Sequence, residues 1–155
     1  MKIPNYIEYM EVYYDGHCGM CCTFHEWVNE QERAFQVRFI AYQDPLAEEL
    51  FPEIHTLEPD REMIVRTQDG QLYFGAEGWV LCLFCCQKYQ GVARRMAGPA
   101  LLPLAKKACH ALAARRHKVS KIFFRKKDCE VAEELHQMEP EECTDNCANT
   151  PDGLI

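Results

Sequence analysis

No segment of the chain is both long and apolar enough to cross a bilayer. The longest uncharged apolar run, GWVLCLFCCQ at residues 78–87, has ten residues, against the ~20 that a spanning helix needs. The N-terminal MKIPNYIEYMEVYY lacks the apolar core and small-residue cleavage site of a secretory signal. Together these absences lead to the expectation of a cytoplasmic protein without membrane contact. Charge is also missing by sign. Residues 78–127 carry 12 Lys and Arg but no Asp or Glu, and residues 128–155 carry nine acids and no base. The first 77 residues hold 15 acids against five bases, which leaves a net charge of −7. That balance weighs against nucleic acid as a partner, because a protein that neutralises phosphates is usually basic overall. The simplest account of the blocks is intramolecular, with an acidic tail lying over a basic helix at only about 0–1 kcal/mol per exposed pair. An adaptor that binds an acidic partner through the 78–127 block is the alternative.

Cysteine is abundant instead: ten in 155 residues. A chain of this length buries roughly 68–70% of its unfolded surface, so disulfide staples are not required for stability. In a reducing cytosol, clustered cysteines point to catalysis or to metal binding.

Residues 9–14, YMEVYY, are dense in aromatic and β-branched side chains and run into Asp15-Gly16, a strand ending in a turn. From Met20 the period changes. Met20, Phe24, Trp27, Val28 and Gln31 share about one third of a helical wheel, which predicts an amphipathic helix with His25 off its stripe. Residues 35–40 alternate as a second strand, and a short helix from Asp44 with Pro45 in its first turn ends before Pro52. Residues 63–65 and 72–74 flank Gln68-Asp69-Gly70, a hairpin signal. An apolar helix follows from residues 75–77 to about Tyr89. A second helical region, residues 101–124, carries a stripe through Leu101, Leu104, Ala105, Ala108 and Leu112 with basic residues off it. The order β-α-β-α-β-β-α predicts an α/β fold, a mixed sheet flanked by helices. An additional C-terminal helix and an irregular acidic tail complete it, giving a domain over 1–127 and a tail over 128–155. Residues 131–138 suit a short helix within that tail.

The segment YYDGHCGMCC, residues 13–22, puts a C-x-x-C at a strand-to-helix junction. Unpartnered amides and the positive dipole end stabilise a thiolate there, and the thiolate is the species that attacks disulfides. Cys18, nearest the turn and expected to be the more exposed, is the candidate nucleophile. Cys21, one turn later, is placed to resolve the mixed disulfide. Cys22 points away from the stripe and ranks third. His17 can add a positive charge beside Cys18, and Asp15 can hold the turn at Gly16. The exchange calls for no cofactor.

Cys82, Cys85 and Cys86 repeat the same spacing among Val, Leu and Phe, where cysteines usually act as small buried hydrophobes. The alternative is a zinc module pooling Cys18, Cys21, Cys82 and Cys85, or Cys18 and Cys21 with His25. Cys129, Cys143 and Cys147, with His136 between them, stay open among exposed thiols, a metal site and a second redox pair. Cys109 reads as packing.

The strand, turn and C-x-x-C resemble the DCC family of predicted thiol-disulfide oxidoreductases, a thioredoxin-like group. Tyr14, Asp15, Gly16, Cys18 and Cys21 match its Y-D-G-x-C-x-x-C pattern, and Asp69, Gly70, Gly75 and Ala76 match a d-G-x-x-x-x-G-a pattern. Residues 114–129 approximate its arginine-bearing helix and late cysteine, so the likeness spans roughly residues 8–129. It implies a thioredoxin-like sheet and dithiol-disulfide exchange with Cys18 and Cys21 as the pair; it does not supply the substrate, expected only to be a thiol or disulfide of a protein or small molecule. Two features of thioredoxin itself are not matched. The position six residues before the first cysteine, an acid there, is Val12, which leaves His25 or water to move the Cys21 proton. Pro59 does not directly precede the third strand.

Overall fold

The computed structural model describes residues 1–113. A four-stranded sheet carries the fold, built from β1 (Tyr9–Tyr14), β2 (Gln36–Ala41), β3 (Ile64–Thr67) and β4 (Leu72–Phe74) in the order β2-β1-β3-β4. β1 runs parallel to β2, with Tyr14 opposite Ala41, and antiparallel to β3, which pairs antiparallel with β4. The parallel pair needs a crossover, and helix α1 (Gly19–Asn29) supplies it. The β3–β4 turn closes with the Gly70 amide on the Thr67 carbonyl at 2.8 Å, and Gly70 takes φ +79°, a conformation open to glycine.

Alternation along β1 sorts its side chains between two cores. Met10, Val12 and Tyr14 join Val65 under α1 and the later helices, while Tyr13 joins Ile40 and Ile64 under α2 (Pro45–Leu50) and the 3-10 turn Ile54–Leu57. Asp44 caps α2 through its side chain at Leu46 N, 2.9 Å, and Pro45 follows at a position that needs no donor. The result is the mixed, helix-flanked α/β sheet that the residue pattern predicts.

Three expectations change. The apolar helix that starts after Gly75 does not reach Tyr89: α3 ends at Cys85 (Ala76–Cys85) and Cys86 is extended. Tertiary pairing breaks it, because Ala34 N bonds Cys85 O at 2.7 Å, Gln87 N bonds Glu32 O at 2.9 Å, and Arg33 bridges Cys86. A separate helix α4 (Gln90–Met96) then follows, unread in the sequence because only Ala93 of it is buried. In α5 (Leu102–Ala113) the inward side is shifted from the expected stripe: Leu102 is buried, whereas Leu101 and Leu104 are exposed. The contact that sets this is with α3, where Lys106 pairs with Glu77 at 2.7 Å. The helix expected to continue to residue 124, the short tail helix, His136, Cys129, Cys143, Cys147 and the tail-on-helix contact lie outside the described residues. Among the described residues no helix is long and apolar enough to cross a membrane.

Candidate active site

β1 delivers the chain to one end of the sheet, and residues 15–17 turn it into α1. Cys18 is the N-cap residue of α1, extended at φ −93°, ψ 99°, and its carbonyl accepts the Cys22 amide at 3.0 Å. Its own amide donates to Asp15 O at 3.0 Å, closing the turn. Cys21 therefore lies in the first turn of α1, one turn from Cys18, at the positive end of the helix dipole.

Exposure within the motif differs from the sequence expectation. Cys18 is fully covered, at 0% exposure, whereas Cys21 is half-buried. Cys22, expected to point away from the apolar stripe, is fully buried in the larger core. The wheel misplaces it because a first-turn side chain leans back towards the helix N-terminus. There it meets the incoming turn, and Cys22 Sγ donates to Gly16 O at 3.3 Å.

Asp15 is buried at the base of the turn, and its Oδ1 accepts the His17 amide at 3.0 Å. The same oxygen accepts Gln43 Nε2 at 2.7 Å and lies 3.8 Å from His17 Nδ1. Gln43 was not legible as a site residue. It stands two positions beyond β2, and the parallel β1–β2 pairing brings the ends of both strands together, sealed by Tyr42 N on Tyr14 O at 2.9 Å. The general rule that sites form beyond the carboxyl ends of parallel strands is the signal that could have found it. His25 is half-buried on α1, its ring stacked on Phe39 at 4.5 Å and tilted to Tyr14 at 5.3 Å.

The acid missing at Val12 has a counterpart one residue earlier, on the opposite sheet face. Glu11 is buried and accepts from Tyr13 OH at 2.9 Å and from Arg66 Nε at 2.9 Å, with Arg66 its directly opposite cross-strand partner. Burial, and then the Glu11 carboxylate, push the Tyr13 hydroxyl above its usual range. Arg66 also caps Leu50 O at 3.0 Å and covers the Phe51 ring at 4.7 Å. This network ties β1 and β3 to the α2 layer, away from the α1 face.

Cys82, Cys85 and Cys86 are fully buried around the C-terminal end of α3. The Cys85 and Cys86 thiols donate to Cys82 O at 3.0 and 3.3 Å, and their sulfurs lie 3.9 Å apart. Burial pushes all three thiols up. They adjoin residues 32–34, past the far end of α1, whereas Cys18 opens that helix. Among the described residues no group of three or more His, Cys, Asp or Glu is arranged to hold a metal, so neither the pooled four-cysteine zinc site nor Cys18 and Cys21 with His25 is formed. Cys109 is half-buried on α5, its thiol raised by burial and by the nearby Glu62.

No curated protein matches the chain, and no solved structure matches it. A family model does, over residues 12–122, which takes in the second half of β1, the C-x-x-C turn and strands β2 to β4. With a match over more than half its length, the chain belongs to the DCC1-like thiol-disulfide oxidoreductase family.

Proposed function

We propose that the chain is a cytoplasmic enzyme that exchanges disulfides of a protein or small-molecule substrate through Cys18 and Cys21. The observation that carries this reading is the placement of the C-x-x-C at the N-terminus of α1, directly beyond the end of β1. The Cys18 thiolate attacks a substrate disulfide, forms a mixed disulfide and releases one substrate thiolate. Cys21, deprotonated in turn, attacks Cys18 Sγ and expels the second substrate thiol, so two electrons pass to the substrate and a Cys18–Cys21 disulfide remains. A cytosolic dithiol or glutathione returns the pair to its reduced state. His25, one helical turn beyond Cys21, or water takes the Cys21 proton, since Glu11 serves the opposite sheet face. Because Cys18 is covered at rest, its attack requires a local opening that exposes its sulfur.

Trapping tests the assignment. A Cys21→Ser variant accumulates mixed disulfides through Cys18, identified by peptide mass mapping, and reductant releases them. If no adduct forms in this variant, or adducts form only through Cys21 in a Cys18→Ser variant, the assigned roles are wrong.

A further inference from the structure

Gln43 bonds to three consecutive residues of the site turn. Its Oε1 accepts the Gly16 amide at 3.1 Å, and its Nε2 lies 2.7 Å from Asp15 Oδ1 and 2.8 Å from His17 Nδ1. Chemistry assigns each role. A backbone amide only donates and a carboxylate only accepts, so the Gln43 oxygen faces Gly16 and its nitrogen faces Asp15. Nε2 carries two hydrogens. One goes to Asp15 and the other to His17 Nδ1, which must then accept. In a ring that accepts this hydrogen on Nδ1, the ring proton sits on Nε2.

The turn is held from both sides. Cys22 Sγ binds Gly16 O from within the core, and Gln43 binds the same residue's amide from the end of β2. Cys18 follows immediately, tied to the turn by its amide on Asp15 O. We infer that Gln43 is a positioning residue for the exchange pair: it clamps the 15–17 turn to the end of β2, keeping Cys18 covered at rest and His17 in one tautomer beside it. Opening the clamp is then the step that presents Cys18 to substrate. This inference rests on the proposed role of Cys18.

Two variants of the full chain test it. Gln43→Glu keeps the length and the acceptor for Gly16, but has no hydrogen for Asp15 or for neutral His17 and sets a second carboxylate beside Asp15. Gln43→Leu removes all three bonds. The readouts are iodoacetamide labelling of Cys18 under native conditions, with peptide mass mapping, and the ¹⁵N shifts of the His17 ring. In the parent protein the ring shows a protonated Nε2 and a bare Nδ1. In both variants the Nδ1 shift moves as its hydrogen-bond donor is lost, and Cys18 labelling rises roughly tenfold or more, as the loss of two or three hydrogen bonds implies. Cys82 labelling stays unchanged, which separates local opening from general unfolding. Unchanged Cys18 labelling in both variants, a parallel rise at Cys82, or a parent His17 protonated on Nδ1 overturns the clamp. None of these readouts needs turnover. The clamp can therefore fail while the parent still forms mixed disulfides, and absent mixed disulfides would instead sink the exchange reading.

Discussion

Two copies of one spacing, C-x-x-C-C, sit at opposite ends of helices in this molecule. Cys18 opens α1 as its N-cap, whereas Cys85 closes α3 and Cys86 is its C-cap. Burial alone does not separate them, since Cys18, Cys22, Cys82, Cys85 and Cys86 are all fully covered. Polarity does. A helix N-terminus favours an anion and a C-terminus opposes one. The first copy is also hung on a turn between a strand and a helix, tied by Gln43 to the next strand, while the second is packed in the core and bonded to the helix's own Cys82 carbonyl. A cysteine spacing thus carries no chemistry until the helix end it occupies is known.

The largest expected effect breaks the comparison by function. Cys18→Ser and Cys21→Ser each lower disulfide-exchange turnover by at least about a thousandfold, because each deletes a nucleophile of the proposed exchange. Cys85→Ala and Cys82→Ala leave turnover within about twofold of the parent, the residual change reflecting stability alone. Equal losses at both copies, in a coupled reductase assay, would erase the distinction. Next in size is native labelling. Cys85 reacts with iodoacetamide at pH 8 at least about a hundredfold more slowly than an unfolded thiol, and its protection falls away only with unfolding.

The pH dependence of stability sharpens the contrast further. Burial raises the thiols of Cys82, Cys85 and Cys86 in the folded chain, whereas unfolded thiols ionise near pH 9.0. Their contribution is therefore complete below that pH. Above it the unfolded state has lost protons that the native state keeps, so stability falls as pH rises towards the folded values. Denaturant melts between pH 7 and 10.5 should show this decline, and a Cys85→Val variant should show a shallower one; an identical slope would mean that Cys85 ionises freely in the fold. The smallest effect is at Cys22. Cys22→Ala loses the bond to Gly16 O and some packing, at about 1 kcal/mol by chemical denaturation, with turnover reduced less than tenfold.

Much of the fold was legible because it rests on local chemistry. Residues 9–14 form β1 as their composition predicts, Asp44 and Pro45 start α2, and the Asp69-Gly70 turn joins β3 to β4. What was not legible came from long-range contacts. The break after Cys85 is imposed by residues 32–34, far outside any window that a helical wheel can use. The turn of α5 towards Leu102 follows from docking on α3, and Gln43 joins the site only through parallel strand pairing. Of the candidate site, the C-x-x-C and its turn could be read from residue types and spacing. The covered state of Cys18 could not, because it depends on how the turn is held rather than on which residues compose it.

The most direct test of the central claim is disulfide mapping of the native full chain after equilibration with oxidised glutathione. The account predicts one intramolecular bond, Cys18–Cys21, with Cys82, Cys85 and Cys86 recovered as thiols. A Cys85–Cys86 bond in its place, or no bond between Cys18 and Cys21, would contradict it.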